Sequence, residues 1–174
     1  MPVETFKVGV LARSHPPASR WATRMLHPFG VLALVPETAP GTFLGEEDGV
    51  ETWYLGAHDL TLYSGDTGHH RDNLTSQRPS VWVALSGADK PATVRVRLVT
   101  ADPYEGGGLA DDPALVVEAV PMPDLLRAPI EAFIAAHHVE EVFRKRKRQP
   151  VDPNAAFSAR APRILREEDK WGRR

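Results

Sequence analysis

Two adjacent histidine pairs, His69-His70 and His137-His138, hold the side chains best suited to ligate a metal or carry a proton. Neighbours on a strand point to opposite faces, and neighbours on a helix lie about 100° apart, so neither pair chelates one ion by itself. His137 and Glu141 stand one helical turn apart and could share a metal or form a solvated pair. A zinc site needs tetrahedral ligands, usually three or more from the protein. These histidines therefore read as surface or capping residues, and no metal is expected.

The glycine-rich stretch "YEGGGLADDP" (104–113) invites a phosphate-loop reading. Neither the dinucleotide fingerprint nor the P-loop pattern is present, and no helix is expected to follow, so a floppy connection between strands is the reading. The opening "LARSHPPASR" is superficially similar to the nucleotide-binding start of enzymes that attach guanylate to molybdopterin. It has Ala12, Arg13, Ser14, His15 and two prolines in place of glycines, which rules that enzyme out. No serine sits in a G-x-S-x-G elbow. The acidic clusters "GEEDG" and "ADDP" lie in Pro/Gly loops, where carboxylates are solvated. No catalytic residue is assigned, and no cofactor is expected.

One further run carries strong charge. "EVFRKRKRQP" places Phe143 before Arg144, Lys145, Arg146, Lys147 and Arg148. Glu140→Arg144 and Glu141→Lys145 are favourable i,i+4 pairs, and a helix C-terminus favours cations. These effects explain two or three of the five charges. Residues 1–143 hold 10 Lys+Arg against 19 Asp+Glu, a net −9, whereas residues 144–174 hold 11 against 4, a net +7. An acidic body repels phosphates, so nucleic acid is disfavoured. The basic run, with the apolar Ile164, Leu165 and Trp171 of the tail, instead reads as a handle for an acidic protein surface.

The elements that must carry these residues follow from the punctuation. A chain of 174 residues with 42% apolar residues supports one domain with a real core. The longest apolar run, residues 31–35, is far short of the roughly 18 needed to span a membrane. "MPVETFKVGV" does not resemble a signal peptide, and there is no cysteine, so a cytoplasmic location is expected. Thirteen glycines and 16 prolines cut the chain into short strands. Strands are expected at 6–11, at 20–35 with a bulge or bend near Pro28 and Gly30, and as two short pieces around Gly56. More follow at 80–85, 93–99 and 114–120, the first two forming an antiparallel hairpin. "PETAPGTFLGEEDG" reads as an acidic loop and "SGDTGHHRDNLTSQRP" as polar turn material. From 124 to about 147 the period becomes helical, with Leu126, Ile130, Phe133, Ile134 and His137 on one face and Pro129 in the first turn.

The expected fold is mainly β, an antiparallel barrel or sandwich of about seven strands. It is pleckstrin-homology-like in element order, with one C-terminal helix. Residues 1–149 form that domain and residues 150–174 a basic extended tail.

Three segments, "SRWATRMLHPFGVLALVP" (19–36), "YLGAHDLTLYSGDTGHHRDNLTSQRPSVWVAL" (54–85) and "VPMPDLLRAPIEAFIAAHHVEEVFRKRKRQ" (120–149), resemble a bacterial family catalogued as domain of unknown function 3305. The resemblance implies a genetic setting beside molybdenum-dependent formate dehydrogenases. It carries over no catalytic residue. The resulting expectation is a non-catalytic accessory or maturation factor, acting by binding a molybdoenzyme subunit or another maturation factor. The alternative is a barrel that binds a small molecule or a molybdopterin nucleotide, which requires Arg78, Arg95 and Arg97 to converge.

Overall fold

The computed structural model describes residues 1–17 and 19–140. Its first strand, β1 (Val3–Ser14), buries Val8, Val10 and Ala12 at every second position, as one core-facing strand face requires. β2 (Leu26–Leu32) and β4 (Val50–Tyr63) flank it, and β3 (Thr42–Glu47) pairs with the far side of β4. The four form an antiparallel sheet of order β2-β1-β4-β3. A second antiparallel sheet has β5 (Ser80–Ser86) between β6 (Arg95–Thr100) and β7 (Leu115–Pro121).

The expected barrel or sandwich of about seven strands is seven strands in two antiparallel sheets, and no closed barrel is formed. β4 already has β1 and β3 on its two edges, so β5 finds no free edge there and starts a new sheet. The two sheets share one apolar core. Val8, Val10, Leu60 and Leu62 of the first belong to the same buried cluster as Val81, Val83, Leu85 and Val99 of the second.

The anticipated bend at Pro28 is a bulge. Leu11 pairs with Gly30 and Ala12 with Pro28, which leaves Phe29 as the extra residue on β2. A second bulge faces it across β1, where Val10 pairs with Gly56 and Leu11 with Tyr54. The segment around Gly56 is thus one 14-residue strand, not two short ones. Gly56 has φ +107, and a Cβ there would lie 2.9 Å from Pro40 Cβ, so glycine is required on both counts.

The presumed acidic loop contains β3. Glu47 pairs with Val50 across the two-residue turn Asp48-Gly49, both with positive φ (52° and 78°), as a primed hairpin turn demands. β6 also departs from its apparent alternation. Ala84 pairs with Leu98 and Leu85 with Val96, so Arg97 bulges out and the buried phase switches from Val94 to Val99.

Two helices stand where none was expected. A 3-10 turn, Ser64–Asp66, leads into α1 (Thr67–Thr75) inside the stretch read as polar turn material. Its buried face is Thr67, His70 and Asn73, at i, i+3 and i+6. That face is polar, so the apolar periodicity that betrays a helix is missing. α2 (Pro103–Leu109) contains the three glycines. Asp102 caps it, accepting from Tyr104 N at 2.8 Å and Glu105 N at 3.4 Å, with Pro103 at the first position. Gly106 faces Trp82 so closely that a Cβ would sit 2.2 Å from Trp82 Cγ. The glycine lets the helix lie on β5 and is not a sign of floppiness.

α3 (Asp124–His137) lays Leu126, Ile130 and Phe133 on the core. It stops at His137, short of the expected 147, and Pro129 is inside it and not in its first turn. Pro129 removes the hydrogen bond to the carbonyl four residues back, that of Leu125. Leu125 is 65% exposed, so water can serve that carbonyl. Among the described residues no helix is long and apolar enough to cross a membrane.

Candidate functional site

The residues expected to bind a partner, Phe143, Arg144, Lys145, Arg146, Lys147, Arg148, Ile164, Leu165 and Trp171, lie outside the described residues. Arg78, Arg95 and Arg97 do lie within them and do not converge. Arg95 pairs with Ser86 at one end of β5, and Arg78 precedes the other end at Ser80. Six residues of strand from Ser80 to Ser86 separate those two ends, about 20 Å. Arg95 instead donates through Nη1 to the Val94 carbonyl at 2.7 Å and the Ala92 carbonyl at 3.3 Å.

The densest polar constellation is where α1, the start of α2 and the end of α3 meet. Asn73 is its anchor. Its Nδ2 donates to Ser80 O and Ala101 O, both at 2.8 Å, and its Oδ1 accepts from Ser80 N at 3.0 Å. One buried amide thus fastens α1 to the first residue of β5 and to the segment just after β6. Ala101 is followed by Asp102, so the same clamp sets where the Asp102 carboxylate stands against α1.

Asp102 is buried and uses both oxygens. Oδ1 caps α2, and Oδ2 lies 2.8 Å from His69 Nδ1. The His69 ring also packs on Tyr104 with centroids 4.4 Å apart, and its side chain is 41% exposed. Asp66 completes the group. It occupies the N-cap position of α1 without a side-chain capping bond, and its carboxylate, the His69 imidazole and the Asp102 carboxylate offer ligand atoms within 4.8 Å of one another.

His70 points inward. The ring is fully buried, and neither nitrogen has a hydrogen-bond partner. The Ala101 carbonyl, which also accepts from Asn73, is close enough to favour the charged ring. Burial is the larger effect and lowers the His70 pKa below the usual imidazole value, against the opposing pull of Asp102 and Asp66. The ring is therefore neutral near pH 7.

The other histidine pair closes the lower side. His138 is the C-cap of α3, with Nδ1 3.1 Å from Thr67 Oγ1 and Nε2 2.9 Å from Arg71 Nη1. Arg71 can only donate, so Nε2 accepts and Nδ1–H donates to Thr67, whose hydroxyl donates to Ser64 O at 3.2 Å. His137 packs edge-on against Phe133 at 4.8 Å. Of the histidines expected at the surface or as caps, His138 does cap a helix and also links it to α1, whereas His70 lies in the core and His69 forms half of a His–Asp pair.

Chemically, one half-buried imidazole held by a buried carboxylate can accept or deliver a proton, and with Asp66 it can hold a cation. The sequence reading missed this group because Asp66 and Asp102 are 36 positions apart. The local sign was Asp66-x-x-His69, one helical turn. No curated protein and no solved structure matches the chain. One family model does, over residues 7–147, most of the chain, and it is described as a protein of unknown function (DUF3305). The chain belongs to the DUF3305 family.

Proposed function

We propose that this chain is a non-catalytic accessory factor of the bacterial cytoplasm that binds a protein partner during maturation of a molybdenum-dependent formate dehydrogenase. The observation that carries this reading is the division of charge, −9 in residues 1–143 against +7 in residues 144–174. The end of α3 strengthens it. α3 stops at His137 and its C-cap His138 is extended (φ −71, ψ 125), so Arg144 is seven residues beyond the helix. The macrodipole of α3 favours cations only within its last turn, which ends at His137, so it does not account for the five consecutive cations at 144–148. They suit an acidic protein surface, with Ile164, Leu165 and Trp171 adding apolar contact. The choice of enzyme rests on the resemblance of the three segments quoted above.

The test is capture of partners from cells that express the dehydrogenase. Wild-type chain should recover the apo-subunit or another maturation factor. Recovery should fall as ionic strength rises from about 0.1 M to 1 M, which shortens the Debye length from about 10 Å to about 3 Å. Changing all five basic residues to serine should abolish it. Recovery of the same partners by that variant refutes the reading.

A further inference from the structure

We propose that Asp66, His69 and Asp102 form a binding site for one divalent transition cation of the zinc class. This goes beyond the protein-binding reading and does not depend on it. Two observations converge. The three side chains already bring their ligand atoms within 4.8 Å of one another, from two elements 33 positions or more apart in sequence. Four-coordinate zinc with bonds of about 2.0 Å holds its ligands about 3.3 Å apart. The His69–Asp102 separation of 2.8 Å needs to open by about half an ångström, and a rotation of the Asp66 side chain supplies the rest.

Second, the carboxylate of Asp66 is not used to cap its own helix, although it holds the N-cap position. Two carboxylates at this spacing repel, and a divalent ion between them removes the repulsion.

The donor set selects the ion. Two carboxylates alone would suit magnesium or calcium, while an imidazole favours zinc and its transition-metal neighbours. In the metal-free chain His69 Nδ1–H faces Asp102 Oδ2. An ion bound at Nδ1 takes the place of that proton, and the liganded ring carries its N–H on Nε2. The partial exposure of His69 leaves the remaining coordination positions to water. Asn73 holds Ala101, and thereby Asp102, at fixed distance from α1, which is the preorganisation a metal site needs.

The experiment titrates chelator-stripped full-length chain with ZnCl2 by calorimetry, with Mg2+ as the hard-ion comparison. Co2+ replaces Zn2+ for a visible absorption spectrum. The expected result is one Zn2+ per chain with Kd at or below about 10 µM, and no comparable Mg2+ binding. His69→Gln and Asp66→Asn should each weaken binding by at least about ten-fold, as loss of a ligand does. Both positions are partly exposed, and circular dichroism and melting curves of the metal-free variants confirm that they fold. His27→Gln is the control, because His27 also faces a carboxylate, Glu118, at 3.3 Å, and should bind as wild type does. Absence of stoichiometric binding at 100-fold the expected Kd overturns the proposal. So does unchanged affinity in either His69→Gln or Asp66→Asn, or loss of binding in His27→Gln.

Discussion

Replacing Asn73 with alanine removes three hydrogen bonds at one point and leaves all three partners in place. The Ala101 carbonyl is fully buried, and an orphaned buried acceptor costs about 1–3 kcal/mol. The two bonds to Ser80 are half-buried, so water replaces them in part, and each is worth about 1 kcal/mol. The expected loss is therefore about 3–5 kcal/mol, or a fall in Tm of roughly 10–15 °C for a domain of this size. Urea unfolding followed by tryptophan fluorescence measures it, with equal m-values as the sign that only stability changed. Asn73→Asp separates polar pairing from packing. It keeps the shape and the acceptor for Ser80 N, but it turns the donor that faces two carbonyls at 2.8 Å into a third acceptor. That variant should also be destabilised near pH 7. Its carboxyl is held above the ordinary range by the carbonyls, so it should regain stability as pH falls and the protonated form donates one bond. A cost below about 1 kcal/mol for Asn73→Ala, or wild-type stability of Asn73→Asp at neutral pH, refutes the clamp.

The neighbouring glycines separate packing from flexibility. Gly106→Ala should cost about 1–3 kcal/mol or more, because its Cβ meets Trp82 Cγ at 2.2 Å. Gly107→Ala and Gly108→Ala meet nothing within 4 Å and should be neutral or stabilising by up to about 1 kcal/mol, a contrast that melting curves resolve. Burial raises the pKa of Tyr54 above its usual 10. The unfolded chain therefore ionises first, so the Tyr54 contribution is intact below pH 10 and is lost as pH rises through the folded value. Tyr54→Phe should show a shallower alkaline loss of stability than wild type, and equal slopes would count against it.

What could be read directly was the part built on apolar period. "SVWVAL" and "TVRVRLV" give β5 and β6 as a hairpin, and Pro28 beside Gly30 gives the bulge opposite Leu11 and Ala12. The two sheets were harder, because edge use is a property of pairing: nothing in β4 itself says that β3 fills its second side. α1 was invisible since its inward residues are Thr67, His70 and Asn73, which carry no apolar signal. α2 was masked by its glycines, although Asp102-Pro103-Tyr104-Glu105 carries the start signals of a helix, a capping aspartate with proline at the first turn. The site followed these two errors. His69 and Asp102 could not be brought together while the segments bearing both were taken for loops.

Asp102 ties heredity to architecture. One oxygen holds the first turn of α2 and the other holds His69, so a substitution other than asparagine that silences the second task also disturbs the first. Asparagine can still cap the helix, but it offers His69 an amide where a carboxylate stood. Alanine serves neither. Drift at this position is therefore narrowed by folding to residues that can cap α2, and only the choice of aspartate over asparagine is left to the His69 side of the site.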